Sequence, residues 1–392
     1  MFKGTKVIEL ASVLAGPSVG QFFAELGADV IKVENLKTQG DVTRSWKGSG
    51  EQTDERSAYF CSVNWGKRSL AIDLTKKEGR EIIHQLVAEA DIVIASYKPG
   101  DAEKLEMDYK TLEKLNPKLI YGQITGYGSD NPRVGYDAII QAEAGFMYMN
   151  GEQGGNSLKM PVALVDVLAG HHLKEGLLLA LLKKERTGKG GFVEVSLIQA
   201  AISSLANQAT NWLIAGKMPE KKGSAHPNIA PYGDVFTTKD GQEILLAVGS
   251  DRQFVDLCLL LKIIETASDI RFSTNQARVE NRKELNQILQ ERMNTVVGDE
   301  VIEELNKAKI PAGRIQNLKQ VFEMPQAKEL LFQSPYATGV KSYVGNTGIN
   351  SEDDIQLLPP PSLGQHTSEI LSQNLQLNTE YIKGLFEKGV IV

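Results

Sequence analysis

Short apolar runs alternate with stretches of helical apolar spacing along the first half of the chain. The runs predict strands at Lys6–Ala11, Asp29–Glu34, Ser69–Leu74, Asp91–Ser96, Lys118–Ile124 and Phe192–Leu197. The helical spacing predicts helices at Val19–Leu26, Lys76–Ala90, Tyr109–Leu115 and Val167–Lys184, and another that ends at Leu213. Because strands that alternate with helices pair in parallel, the pattern favours a doubly wound α/β sheet. Ligands of such sheets bind beyond the carboxyl ends of the strands, so the loops there are the first candidates for a site.

The pattern changes after Leu213. Ala215–Asn228 is a linker rich in Gly, Lys and Pro, and Tyr232–Val248 predicts two strands joined by a tight turn. Amphipathic helices are predicted at Asp251–Leu261, Ala277–Asn294 and Asp299–Ala308. A chain of 392 residues exceeds one ordinary core. We therefore expect a large α/β domain over 1–214 and 330–392, with linkers and a small α+β domain over 215–329.

One carboxylate stands out at a predicted junction of strand and helix. Pro161–Val165 has the length and apolar character of a buried strand, Asp166 follows it, and a long helix begins at Val167. The free N–H groups and the dipole of a helix N-terminus favour a carboxylate there. Aspartate is also an ordinary N-cap residue, so the pattern leaves a functional and a capping interpretation open.

Composition and charge exclude several classes of function. The chain is 42% hydrophobic and 23% charged with a net charge of −6, and it lacks the basic stripe of a nucleic-acid binder. It contains no apolar run of membrane-spanning length, and its start lacks a signal-peptide pattern, so we expect a cytoplasmic protein. Two distant cysteines form neither a disulfide framework nor a metal pair, so we expect no metal. The turn after the first strand lacks the glycine fingerprint of nicotinamide-binding enzymes.

Motifs spread along nearly the whole chain resemble those of the family III CoA-transferases, the type that includes formyl-CoA and carnitine CoA-transferases. They occur in the family's order: Val13-Leu-Ala-Gly-Pro17, Leu26-Gly-Ala-Asp-Val-Ile-Lys-Val-Glu34, Gly40-Asp-Val-Thr-Arg44, Lys67-Arg-Ser-Leu-Ala-Ile-Asp-Leu74, Lys98-Pro-Gly100, Ile124-Thr-Gly-Tyr-Gly128, Gly135-Tyr-Asp137, Val165-Asp166, Thr187-Gly-Lys-Gly190, His226-Pro-Asn-Ile-Ala-Pro-Tyr232 and Leu363-Gly-Gln-His-Thr367. The resemblance implies a Rossmann-like, doubly wound large domain plus a small α+β domain. It also implies two protomers threaded through each other as an interlinked, ring-like homodimer.

Within the family, the chain is most similar to the branch that uses succinyl-CoA and a dicarboxylic acid such as glutarate. The implied activity is transfer of coenzyme A from an acyl-CoA donor to a carboxylic acid acceptor. Ser12 and Leu14 replace polar residues that formyl-CoA transferase uses near its substrate, which argues against oxalate or formate chemistry. Two other functions stay open: an α-methylacyl-CoA racemase on the same scaffold, and a non-catalytic CoA-binding protein.

The resemblance also implies roles for individual residues. Asp166 corresponds to the covalent nucleophile, which forms an aspartyl-CoA thioester during transfer. Asp137 is expected either to steady or protonate intermediates or to cap a helix that includes Gln141. The racemase branch has histidine at the position of Tyr136, so this tyrosine favours transfer. The residues expected to bind substrate are Leu14, Ala15, Tyr136 and His226, of which His226 is alternatively a structural turn residue.

Coenzyme A is expected to be held by a second set of residues. The resemblance places Val13 beside the cofactor, Lys104 at a basic CoA contact and Leu105 against the adenine. Arg44 and Arg133 are candidate phosphate contacts because they lie in loops at strand ends. Each of these basic residues is alternatively a solvated surface charge.

Overall fold

The computed structural model describes residues 1–335, 337–345 and 357–392. The chain divides into two compact units. The first comprises Met1–Ala144, Met160–Ala206 and Glu329–Val392, and the second comprises Gly145–Lys159 and Asn207–Lys328. Thus Gly145–Lys159 belongs to the second unit, whereas the sequence prediction put it in the large domain. Hydrogen bonds from Lys221 Nζ to the Gly155 carbonyl (2.8 Å) and from the Gly223 N–H to the Gly151 carbonyl (2.9 Å) fasten it there.

The described residues contain eleven strands. In chain order these are β1 (Lys6–Leu10), β2 (Asp29–Asn35), β3 (Lys67–Ile72), β4 (Ile92–Ala95), β5 (Ile120–Thr125), β6 (Gly191–Ser196), β7 (Tyr232–Thr237), β8 (Glu243–Ala247), β9 (Ala312–Arg314), β10 (Leu331–Gln333) and β11 (Thr338–Val340).

Helices connect the strands in both units. In chain order these are α1 (Ala15–Glu25), α2 (Ala58–Cys61), α3 (Lys77–Ala88), α4 (Asp101–Lys104), α5 (Tyr109–Leu115), α6 (Asp137–Glu143), α7 (Phe146–Met149), α8 (Leu164–Thr187), α9 (Leu197–Ser203), α10 (Ala206–Leu213), α11 (Asp251–Leu260), α12 (Ile264–Ser268), α13 (Asn275–Glu280), α14 (Arg282–Met293), α15 (Gly298–Lys307), α16 (Leu318–Glu323), α17 (Pro325–Lys328), α18 (Thr367–Gln373) and α19 (Thr379–Glu387). Turns of 3₁₀-helix follow β2 at Leu36–Thr38 and Val42–Ser45.

The first unit is built on a six-stranded parallel sheet with the strand order β3-β2-β1-β4-β5-β6. The prediction of an α/β protein with parallel strands is confirmed. β1 and β4, at the centre of the sheet, are almost wholly buried because both faces of the sheet are covered, as parallel sheets require, and β1 buries the charged Glu9 as well. The direction of strand addition reverses between β1 and β4, and a ligand crevice is expected at that reversal.

The predicted strand at Pro161–Val165 is wrong. Helix α8 already begins at Leu164, and residues 161–163 form no ladder because β5 pairs directly with β6. Val162 is 60% exposed, so the apolar run does not enter the core. Asp166 is consequently the third residue of α8 and not a residue between a strand and a helix, and Ala163 holds the N-cap position.

The second unit contains an antiparallel sheet of β7, β8 and β9 covered by helices. Its own core is formed by apolar side chains of β7, β8, α11, α14 and α15. The sequence predicted the β7–β8 pair but missed the three-residue strand β9. The helix predicted over Ala277–Asn294 is two helices, α13 and α14, that meet at Asn281.

Candidate active site

A cavity of about 260 Å³ lies at the strand-order reversal of the first unit. It is lined from four directions: Ser12 follows β1, Ser96 follows β4, Gly126 follows β5, and Leu197 follows β6. Asp166, near the start of α8, also lines it. The cavity therefore occupies the place where doubly wound sheets bind their ligands.

Asp166 is a nearly buried carboxylate without a stabilising partner. The residue is 8% exposed, and no hydrogen bond to its carboxylate comes from the residues that the structure describes. Burial raises the pKa of Asp166 to about 7, and the negative charge of the nearby Asp137 contributes to the rise. A buried carboxylate with a perturbed pKa in a cavity is a candidate functional group.

Asp137 ties together the starts of two helices. Its Oδ1 accepts a hydrogen bond from the Val165 N–H of α8 (2.8 Å), and its Oδ2 accepts one from Gln141 Nε2 of α6 (2.7 Å). The Gln141 Oε1 in turn accepts from the Met160 N–H (2.8 Å). Asp137 is the first residue of α6, and its side chain does not cap this helix, which includes Gln141. It instead accepts from the second residue of α8 and so fixes the start of the helix that carries Asp166.

The N-terminus of α1 points its first residues at the same cavity. Ala15 and Gly16 both line it, and their N–H groups have no acceptor within the helix because they belong to its first turn. Pro17, the third residue, carries no N–H. A Cβ at Gly170, one turn beyond Asp166, would lie 3.2 Å from the Ala15 carbonyl, so α1 and α8 pack in direct contact here.

Two glycines in back-to-back contact hold the segment that carries Tyr136 and Asp137. A Cβ at Gly126 would lie 2.7 Å from the Gly135 backbone, and a Cβ at Gly135 would lie 2.5 Å from the Gly126 Cα. Only residues without a side chain permit this approach. Tyr136 follows directly, lines the cavity and is 57% exposed.

An aromatic pair lies at the cavity that Asp166 lines. Trp46 lines the cavity, and its ring meets Tyr59 edge-on at a centroid distance of 5.3 Å. Burial, together with the charges of Asp166, Asp137 and Asp41, raises the pKa of Tyr59 to about 12, which locates the phenol near these carboxylates. The sequence analysis missed Tyr59, because α2 is only four residues long and shows no pattern that separates a site residue from a packing residue.

Two of the expected CoA residues line one or the other of two neighbouring cavities. A second cavity of about 340 Å³ shares Ser12, Val42 and Tyr97 with the first, and Leu105 lines it. Val13 lines the first cavity. Lys104 is exposed at the end of α4, where its Nζ donates to Asp101 Oδ1 (3.1 Å).

The two candidate arginines differ in their surroundings. Arg44 is 6% exposed, and its guanidinium binds both oxygens of Glu34 at 2.8 and 2.7 Å while lying 3.8 Å above the Phe60 ring. A phosphate would have to displace Glu34, so we leave Arg44 out of the site. Arg133 lines the cavity and is paired with Glu143 over the Tyr127 ring.

His226 and Leu14 are not among the residues that line the first cavity. His226 belongs to the second unit, where its Nδ1 accepts from the Asn228 N–H (3.1 Å) and its ring meets Tyr232 edge-on at 5.2 Å. These contacts are those of a turn residue. Leu14 is the half-buried N-cap residue of α1 and makes no side-chain cap bond.

Two kinds of feature are absent from the residues that the structure describes. No group of three or more His, Cys, Asp or Glu side chains there is arranged to hold a metal ion. None of the helices in the same residues combines the length and apolarity needed to cross a membrane.

Comparison with known proteins identifies the family. The model of CoA-transferase family III matches residues 2–367. The chain is 39% identical to the succinate–glutarate CoA-transferase of Agrobacterium fabrum over 94% of both chains. It is 34% identical to the human succinyl-CoA:glutarate CoA-transferase over 99% of this chain and 89% of the human one. A crystal structure of a CaiB/BaiF family protein from Brucella suis superposes with a TM-score of 0.83 at 40% identity, covering 95% of this chain and 98% of that one. The resemblance inferred from the motifs is confirmed: this chain is a transferase that belongs to CoA-transferase family III.

Proposed function

We propose that this protein transfers coenzyme A from succinyl-CoA to a dicarboxylic acid such as glutarate, with Asp166 as the covalent carrier. The observation that carries the proposal is the unpartnered, nearly buried Asp166 carboxylate in the cavity at the strand-order reversal. The names of the two glutarate-using relatives support the choice of substrates.

The transfer divides into four steps, each of which exchanges one acyl bond for another. The Asp166 carboxylate attacks the donor thioester, the C–S bond breaks, and a mixed anhydride and the CoA thiolate form. The thiolate attacks the Asp166 carbonyl carbon, releasing the donor acid and leaving an aspartyl-CoA thioester. The acceptor carboxylate then displaces the thiolate to form a second anhydride. The thiolate finally attacks the acceptor acyl carbon and regenerates the Asp166 carboxylate.

Each attack places negative charge on a carbonyl oxygen. The N–H groups of Ala15 and Gly16 are free at the start of α1 and belong to residues that line the cavity with Asp166. A preorganised donor of this kind contributes about 3 kcal/mol to an oxyanion. Tyr136 and Trp46 line the same space, with Tyr59 packed against Trp46, and they limit the access of water, which would hydrolyse the anhydride.

The two neighbouring cavities suggest where coenzyme A and the acceptor acid each bind. The second cavity, with Leu105 in its wall, suits the adenine end of coenzyme A, and Lys104 lies next to it in sequence. The first cavity contains two cations in its wall, Lys98 and Arg133, and Arg133 is already paired with Glu143. Lys98 makes no ion pair with the described residues, so it is available to the second carboxylate of a dicarboxylic acid.

A panel of substrates tests this assignment. Succinyl-, butyryl- and acetyl-CoA are each combined with glutarate, valerate or oxalate, and the acyl-CoA products are separated by chromatography. We expect glutarate to exceed valerate by about two- to fivefold in kcat/KM, since a charge pair to the exposed Lys98 contributes ~0.2–1 kcal/mol. Equal rates for glutarate and valerate, or oxalate as the best acceptor, would contradict the dicarboxylate assignment. Deuterium uptake at the α-carbon of an acyl-CoA in deuterated water, without transfer, would instead favour a racemase.

The interlinked homodimer implied by the resemblance is proposed as well. Two exposed apolar groups support an interface: Leu178, Leu179 and Leu182 on α8 of the first unit, and Leu213 and Ile214 in the second unit. Light scattering is expected to give twice the chain mass of 43.0 kDa, and dilution to nanomolar concentration should not produce monomers. A monomer that remains folded and active would contradict the interlinked arrangement.

A further inference from the structure

Four buried charged side chains form a continuous chain beneath the first unit's active-site turn. Lys67 Nζ lies 2.8 Å from Glu9 Oε2, Lys32 Nζ lies 3.0 Å from Glu9 Oε1, and Lys32 Nζ also lies 2.8 Å from Asp41 Oδ2. We call Lys67, Glu9, Lys32 and Asp41 the charge chain. Each member is at most 4% exposed. Burying four charges is expensive even when they are paired, and an apolar cluster of the same volume would often be equally stable. Their presence therefore asks for a role beyond stability.

The charge chain touches the backbone of one short segment three times. Lys32 Nζ donates to the Ala11 carbonyl (3.0 Å), and Lys67 Nζ donates to the Pro17 carbonyl (2.8 Å). Between these two points, Asp41 Oδ1 accepts from the Val13 N–H (3.3 Å). The three contacts bracket Ser12–Gly16, the turn between β1 and α1 that supplies residues to the cavity beside Asp166.

Val13 explains why this turn needs an external hold. Its φ of 73° lies in the left-handed region, which a β-branched residue enters only under strain, at a cost of about 1–3 kcal/mol. Without the bond from its N–H to Asp41, Val13 would relax toward negative φ. That rotation would turn the following peptide groups, including the free N–H groups of Ala15 and Gly16.

Both ends of the charge chain are held closely by their surroundings. A Cβ at Gly20 on α1 would lie 1.8 Å from Glu9 Oε2 and 3.3 Å from Lys67 Cε, so α1 passes directly over the Glu9–Lys67 pair. At the other end, the Asp41 N–H donates to Glu34 Oε2 (3.0 Å), and Oδ1 also accepts from the N–H and Oγ1 of Thr43 (3.0 and 2.8 Å). Asp41 is thus held from three sides in the orientation that meets Val13.

We propose that Asp41, supported by Lys32, Glu9 and Lys67, is a positioning residue that fixes the β1–α1 turn in its strained, left-handed conformation and thereby aims the turn's N–H groups at the oxyanions formed on Asp166. The inference rests on the proposed function. It assigns the charge chain to the chemical step, although Lys32 and Asp41 also line the second cavity.

The first test compares two aspartates with the same local geometry. Asp73, at the end of β3, also accepts from the N–H and Oγ1 of the threonine two residues later (2.9 and 2.6 Å), but it pairs with the exposed Lys37 and does not contact the β1–α1 turn. In Asp41→Asn we expect at least a tenfold slower single-turnover formation of the Asp166 adduct from succinyl-CoA, with the KM for succinyl-CoA within threefold of wild type. A displacement of about 1 Å at a reacting centre is sufficient for a loss of this size. In Asp73→Asn the adduct forms at the wild-type rate, even where the unfolding temperature falls by the same amount.

A second variant separates positioning from general destabilisation. Glycine adopts a φ of 73° without strain, so Val13→Gly makes the turn less dependent on Asp41. We expect Val13→Gly combined with Asp41→Asn to recover at least threefold of the rate lost in Asp41→Asn alone. If Asp41→Asn does not fold, Thr43→Val removes one donor to Oδ1 while keeping the charges paired, and the same slowing is expected in smaller degree.

Three results would overturn the proposal: wild-type adduct formation in folded Asp41→Asn or Thr43→Val, equal losses in Asp41→Asn and Asp73→Asn, or no recovery on adding Val13→Gly. Failure of the proposed function looks different, since wild-type protein would then form no adduct at Asp166 with any acyl-CoA.

Discussion

Asp166→Asn is expected to reduce CoA transfer by at least about four orders of magnitude, because no other group can take over a covalent carrier's place. An amide is a far weaker nucleophile than a carboxylate and cannot form the mixed anhydride. Quenched-flow assays of succinyl-CoA consumption, with acyl-CoA products separated by chromatography, measure the loss. The asparagine keeps the size of the side chain, so binding of coenzyme A should change little.

A trapping experiment tests which side chain forms the adduct. Treating wild-type protein with hydroxylamine or borohydride during turnover should modify Asp166 and no other carboxylate. Mass spectrometry of the digested protein identifies the modified residue. Asp73→Asn, which neutralises another buried carboxylate of the same unit, serves as the control and should retain both transfer and labelling. Labelling of a different carboxylate, or turnover that persists in Asp166→Asn, would refute the role of Asp166.

The pH dependence of the reaction is the second large effect that we expect. Because the pKa of Asp166 is raised to about 7 and only the ionised form attacks, kcat/KM for succinyl-CoA should fall roughly tenfold per pH unit below 7. Above about pH 8 it should be level. A stopped-flow profile from pH 5 to 9 in buffers of constant ionic strength measures this. A profile that is flat down to pH 5 would mean that the nucleophile has an ordinary pKa.

The ionisation of Asp166 should also affect folding stability: the rate rises with pH, whereas the stability of the folded protein should fall. A raised pKa means that the folded protein binds this proton more tightly than the unfolded chain does. Stability is therefore full below the ordinary pKa of 3.8 and declines as pH rises to about 7, by about 4 kcal/mol in all. Asp166→Asn removes the ionisation, so its melting temperature should exceed that of wild type at pH 8.5 and match it near pH 4. An equal offset at both pH values would assign the change to packing.

Much of the parallel sheet was predictable because its inner strands are covered on both faces and are rich in apolar residues. The same signal produced the wrong strand at Pro161–Val165. Its composition fits a buried strand, but a strand also needs a neighbour to pair with, and β5 and β6 already pair with each other. That information lies in tertiary contacts, which a local pattern does not contain.

The site was predictable to a different degree for different residues. Asp166 could be singled out because a motif and a helix start coincide there. Tyr59 could not, since its closeness to Asp166 depends on how distant segments fold together. Arg44 shows the limit of a local pattern: a basic residue in a loop suggests a ligand contact, whereas Glu34 and Phe60 enclose it in the fold, and neither is its neighbour in sequence.

The contact between Gly126 and Gly135 has a consequence for how substrate preference can change in this protein. Because the two backbones touch without intervening side chains, the loop that carries Tyr136 is held rigidly in its position. We expect the protein to accommodate a new acceptor acid by exchanging side chains of this loop, such as Tyr136. A single substitution at Gly126 or Gly135 would instead place a Cβ against the other backbone.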